Sequence, residues 1–98
     1  MTESLSQKKT VNVRIEGRVQ GVWYRGWTVQ QALSRGLNGW VRNRSDGSVE
    51  AVFCGPAPVV DELIEACWQG PTAANVRRIV STPEEQEVPE GFFPLPTL

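Results

Sequence analysis

The strictest pattern in the chain is an alternation: Val11, Val13 and Ile15 are apolar, and Asn12, Arg14 and Glu16 between and beside them are polar. Successive side chains of a strand point to opposite faces, so this run reads as a strand buried on one side. It stops at Gly17, and apolar residues then recur at helical spacing. Val22, Gly26, Val29, Leu33 and Gly36-Leu37 form one stripe, opposite Gln30, Gln31, Ser34 and Arg35. A half-buried strand that feeds an amphipathic helix has to be covered by it, which commits the chain to packed layers of sheet and helix.

The remaining segments complete that order. "WVRN" and "SVEAVF" read as a hairpin turned at Asp46-Gly47, with Val49, Ala51 and Phe53 on one face. A second helix follows, in which Val60, Leu63, Ile64, Cys67 and Trp68 make the stripe. Pro58 fits its first turn and Gly70-Pro71 ends it. "ANVRRIVS" is a fourth strand, and "STPEEQEVPEG" is an acidic loop. "FFPLPTL" reads as a short last strand, confined to a sheet edge because its prolines have no N–H to donate. The order β-α-β-β-α-β defines an α+β, ferredoxin-like split-βαβ sandwich: an antiparallel sheet, two helices on one face, and an extra edge strand. Residues 1–10 are expected to be a frayed tail and 11–98 a single domain, since no repeat or linker interrupts them.

Several chemistries are excluded. The chain has no histidine, which removes Ser-His and Cys-His nucleophile pairs, most zinc sites, and the usual general base near neutral pH. Cys54 and Cys67 sit in apolar settings and read as buried, reduced thiols. No apolar run is long enough to span a membrane, and "MTESLSQKKT" lacks the apolar core of a signal peptide. These features point to a cytoplasmic protein.

Charge is distributed unevenly. Between Val11 and Ser45 six arginines stand against the single acid Glu16, whereas from Asp46 onward acids dominate. The sequence pI of 5.4 argues against a broad nucleic-acid surface, so the basic first half is read as a local anion site. Its focus is "EGRVQGVWYRGW". Gly17 and Gly21 remove the Cβ penalty where the chain turns, so that N–H groups from Arg18 to Val22 can converge. The helix that follows adds unpaired N–H groups and a partial positive charge. Arg25, in its first turn, carries a fork that can hold two oxygens of one phosphoryl group. Beside the hairpin turn, Asn43 is either a residue that caps its own backbone or an amide that binds a water or ligand.

Two stretches, "GRVQGVWYR" (Gly17–Arg25) and "GWVRNRSDGSV" (Gly39–Val49), resemble the signature of the acylphosphatase family. So do "SRGL", the Gly-Pro after the second helix, and "GFFPLPT". The resemblance implies a metal-free, cofactor-free enzyme that hydrolyses the carboxyl–phosphate bond of small-molecule acyl phosphates, acting as a monomer without nucleic acid or membrane. It implies that Arg25 and Asn43 are catalytic, Arg25 binding phosphoryl oxygens and Asn43 positioning water. Arg18, Val19, Gln20, Gly21 and Val22 would form the phosphate loop. The chemistry is compatible: a carboxylate leaves with little protonation, and a phosphoryl oxygen can take the proton of the water. Three positions depart from the pattern. Tyr24 replaces the common phenylalanine and reads as a packing swap. Arg44 stands where small hydroxyl residues often occur, and could either crowd the site or add charge. Pro94 and Pro96 weaken the last strand.

Two other readings compete. One is a non-catalytic acylphosphatase-like ligand-binding or regulatory module. The other is a ferredoxin-like RNA-binding domain, which would carry aromatics on its central strands where this chain has Asn12, Arg14 and Glu16. Trp23, Trp27, Trp40 and Trp68 are read as core or rim packing.

Overall fold

The alternating run becomes β1 (Lys8–Arg18), a strand interior to the sheet. The structure is a computed structural model and describes residues 7–98. Helix α1 (Tyr24–Ser34) follows, then the hairpin strands β2 (Asn38–Asn43) and β3 (Val49–Pro56). Helix α2 (Ala57–Cys67), β4 (Asn75–Pro83) and β5 (Phe92–Pro94) complete the chain. The sheet order is β4-β1-β3-β2-β5. Strand β1 starts at Lys8, inside the segment expected to be a tail, and its first residue pairs with Pro56. The rest of that expectation, residues 1–6, lies outside the described residues.

The first four strands pair antiparallel, β1 with β3 and β4, and β2 with β3. The fifth does not. β5 pairs parallel with β2, so the sheet is mixed. The prolines are accommodated because they alternate with the residues that bond. Leu95 N–H donates to the Val41 carbonyl at 2.8 Å, and Leu98 N–H to that of Asn43 at 3.1 Å. Pro94 and Pro96 therefore never owe the ladder a donor. Phe92 anchors the strand by stacking on Phe53 with ring centroids 5.9 Å apart.

Both helices cover one face of the sheet. Val11, Val13, Ile15, Val49, Ala51 and Phe53 meet Val60, Leu63 and Cys67 of α2 in a continuous core. The stripe expected for α1 is displaced. Its buried residues are Tyr24, Thr28 and Ala32, whereas Leu33 is exposed. Two polar-tipped side chains face inward because their polar atoms are satisfied there. Thr28 Oγ1 donates to the Tyr24 carbonyl at 2.8 Å, and the Tyr24 hydroxyl donates to the Cys67 carbonyl. Tyr24 is thus more than a packing swap: it ties the start of α1 to the end of α2, and burial pushes its phenol well above the ordinary range. Such bonds make a hydroxyl tolerable in a core, and hydropathy patterning does not register them.

Candidate active site

The loop between β1 and α1 is held at both ends. Val19 is buried and Val22 packs against the core. Gly21 has φ +75° with open space around it, so glycine is required there for backbone conformation. Gly17, at φ +129°, meets the same need and a second one. It sits at an irregularity in the β1–β4 pairing, where a Cβ would overlap the Asn75 carbonyl oxygen. Its absence of a side chain lets β4 approach.

From Val19 to Gly26 none of the backbone N–H groups donates within the described residues. The first turn of α1 opens with the Trp27 N–H bonding to the Trp23 carbonyl at 3.0 Å, and Trp23 at the N-cap makes no side-chain cap bond. Backbone donors are rarely left without partners. Here a run of them, followed by a helix N-terminus, forms a concavity suited to an anion. Trp23 itself adopts the left-handed region, with φ 69° and ψ 25°. For a non-glycine residue this costs about 1–3 kcal/mol, and such strain clusters at functional sites.

A cleft of about 270 Å³ opens here, lined by Val19, Gly21, Trp23, Tyr24, Arg25, Gly26, Asn43 and Pro94. The structure therefore brings together four of the residues singled out from the sequence: Val19, Gly21, Arg25 and Asn43. Three others lie differently. Arg18 is the exposed last residue of β1, paired with Asn75. Val22 turns toward the core. The Gln20 carboxamide donates to the carbonyls of Arg44 at 2.8 Å and Ser48 at 2.9 Å, pinning the loop to the hairpin. Trp23 and Pro94 were missed as site residues. The excess of exposed aromatic surface at Trp23 appears only in three dimensions.

Asn43 ends β2, opposite Val49. The turn beside it is capped by Asp46, whose Oδ1 accepts from the Ser48 N–H at 2.9 Å and the Ser48 hydroxyl at 2.7 Å. Those bonds hold the Asp46 carboxyl below its ordinary range, with Arg14 and Arg44 adding to the effect. Turn capping is thus supplied without Asn43. Among the described residues its carboxamide makes no hydrogen bond, and it lines the cleft. Arg25 likewise has no ion pair among them, so its donors are available.

Arg44 does not crowd this site. Its Nη1 lies 2.8 Å from Glu50 Oε1, on the sheet face away from the helices, where Arg42 Nε also reaches Glu50 at 3.1 Å. Asn12 donates to the other Glu50 oxygen at 2.8 Å. Burial raises the Glu50 pKa, but these donors outweigh it and hold the carboxyl below its usual value. Thiol chemistry finds no support: Cys67 is buried and its pKa is pushed up to about 12, first by burial. Among the described residues no three His, Cys, Asp or Glu side chains cluster as metal ligands would.

An α+β ferredoxin-like sandwich, with a cleft of unpaired N–H groups, an arginine and an amide where its first loop meets its hairpin, defines a class of small anion-handling proteins. The acylphosphatase family profile matches residues 11–94. An acylphosphatase of Rhodospirillum rubrum is 52% identical over 90 residues, covering 92% of this chain and 99% of the relative. Among solved structures, an acylphosphatase from Coxiella burnetii superposes with a TM-score of 0.88 at 33% identity, covering 97% of this chain and all of that one. The Bacillus subtilis acylphosphatase gives 0.82 at 31% identity, covering 91% of this chain and 98% of that one. The chain belongs to the acylphosphatase family. It is a hydrolase of acyl phosphates.

Proposed function

We propose that this chain hydrolyses small-molecule acyl phosphates by water attack at phosphorus, with the β1–α1 loop and Arg25 holding the phosphoryl group and Asn43 orienting the water. The unpaired N–H run from Val19 to Gly26 carries this reading. The helix dipole contributes about 0.3–1 kcal/mol toward an anion, and one charge-assisted hydrogen bond about 1.5–3 kcal/mol. Arg25 therefore outweighs the dipole. In the reaction the water oxygen bonds to phosphorus as the bond from phosphorus to the acyl oxygen breaks. The carboxylate leaves with the electron pair, and the proton of the water passes to a phosphoryl oxygen. No carboxylate or histidine is among the residues that line the cleft, so the protein's share is positioning and stabilisation of the equatorial oxygens.

The free, buried cysteines 54 and 67 support a reducing, cytoplasmic setting. The deciding experiment is hydrolysis of acetyl phosphate with a chelator present, comparing the unmodified chain with Arg25→Gln. Chelator-insensitive turnover that collapses in the variant is expected. Turnover abolished by the chelator, or preserved in Arg25→Gln, overturns the assignment.

A further inference from the structure

Asn43 and Arg44 are adjacent in the chain but serve opposite faces of the sheet. Asn43 lines the cleft, whereas Arg44 Nη1 meets Glu50 Oε1 at 2.8 Å on the face away from the helices. The main chain of Arg44 is held as well. Its N–H donates to the Ser48 carbonyl at 2.9 Å, and its carbonyl accepts from the Gly47 N–H at 3.0 Å and from the Gln20 carboxamide at 2.8 Å. One residue thus joins the anion loop, the hairpin turn and the open face of the sheet. Its anchor on that face is rigid. Glu50 lies on an interior strand, is 7% exposed, and has Arg14 opposite it on β1 and Arg42 on β2. A carboxylate this deep stays charged only where donors surround it. Arg42 and Asn12 already give each Glu50 oxygen a donor, so the carboxylate is satisfied without Arg44. The Arg44 bond adds instead a link from beyond the end of β2, past the last strand pair of Asn43 with Val49.

Resting on the water-orienting role proposed for Asn43, we propose that Arg44 is a positioning residue for the reaction: clasped to Glu50, it fixes the end of β2 and with it the direction of the Asn43 carboxamide. Beyond Arg44 the chain turns, so no further rung to β3 steadies it. The Asn43 carboxamide makes no hydrogen bond among the described residues, so its aim is set by the backbone beneath it. The clasp restrains that backbone from the opposite face. It does so at a part-buried site, where an ion pair is screened less than on an open surface. A small hydroxyl residue at position 44 would be too short to reach Glu50, so the clasp depends on the arginine this chain carries there. Arg44 is not among the residues that line the cleft. The clasp therefore acts on turnover and leaves phosphate binding alone.

The test is kcat for acetyl phosphate against the Ki of inorganic phosphate in Arg44→Met, Arg44→Lys, Glu50→Gln and the double variant Arg44→Met/Glu50→Gln, each assayed well below its unfolding midpoint. Arg44→Met keeps the length and loses the charge, and should lower kcat by about tenfold with the Ki within about twofold of its original value. The bond to Glu50 is made by one nitrogen, so Arg44→Lys, which keeps the charge, should hold kcat within about threefold. The double variant should be no slower than the slower single variant, because both changes break one bond. Arg44→Met and Arg44→Lys decide the matter alone if Glu50→Gln loses its fold. An unchanged kcat in Arg44→Met, a Ki that rises in parallel with the fall in kcat, or losses that multiply in the double variant overturn the clasp. Asn43→Ala separates the two readings. Full turnover in that variant overturns the water-orienting role itself, whereas a loss there beside an unchanged kcat in Arg44→Met overturns only the clasp.

Discussion

The side-chain amide of Gln20 bridges the anion loop to the hairpin, donating to the Arg44 carbonyl at 2.8 Å and to the Ser48 carbonyl at 2.9 Å. It fixes the distance between the two halves of the site, because Asn43 precedes Arg44 directly. Gln20→Ala should leave two part-buried carbonyls without their donor, at a cost of about 1–3 kcal/mol. Urea unfolding should show this as a lower midpoint with the same slope. Turnover should fall by about a hundredfold if the loop and Asn43 lose their relative placement, since small displacements of positioning groups cost that much. Unchanged turnover in a destabilised variant would make the bridge purely structural.

Arg25→Lys keeps the charge and loses the planar fork. The cleft offers Arg25 no carboxylate partner among the described residues, so its donors are free for substrate. A loss of about a hundredfold in kcat/KM is expected, with weaker inhibition by phosphate. Kinetics indistinguishable from the unmodified chain would count against a bidentate role.

Asn43 is held by its backbone: its carbonyl accepts from Leu98 N–H at 3.1 Å and it pairs with Val49 in the ladder. Asn43→Ala should therefore fold normally. Turnover should drop by about a hundredfold or more while the Ki of phosphate changes little, because only the water loses its orienting group. Parallel collapse of both would place Asn43 on the phosphoryl group instead.

Glu50 is paired with Asn12, Arg42 and Arg44, and its pKa is lowered from the ordinary 4.5. A depressed carboxylate stabilises the fold fully above its unfolded pKa, and that contribution disappears as pH falls through the folded value. Glu50→Gln should destabilise the protein by about 1–3 kcal/mol at neutral pH. The gap between the two proteins should close as pH falls below 4.5. A gap independent of pH would remove the ionised form of Glu50 from the account.

Much of this was legible in the sequence. Val11, Val13 and Ile15 gave away β1 through short-range periodicity, and the α2 stripe at Val60, Leu63 and Cys67 did the same. From the residues alone the loop and Arg25 stood out as an anion site while Asn43 stayed open, and it was the resemblance to the acylphosphatase signature that named Val19, Gly21, Arg25 and Asn43 together. The face of α1 was not legible. Tyr24 and Thr28 face the core because each hydroxyl finds a carbonyl, one of them on Cys67 at the far end of the other helix. The two glycines of the loop looked alike and are not: both hold a positive φ, but Gly21 stands in open space, whereas Gly17 also makes room for β4.

By itself the sequence determined which segments are strands and helices, in what order, and which residue types gather around the first turn, since periodicity and local backbone chemistry reach only a few residues. Tertiary structure decided the rest. It set β5 parallel to β2, sent Arg44 to Glu50 and away from the cleft, bound Gln20 to the hairpin, and left the Asn43 carboxamide without a hydrogen bond among the described residues. Each of those outcomes is a choice of hydrogen-bond or ion-pair partner, and every polar group here has several candidates of equal chemistry. Only the packed chain brings one of them within reach.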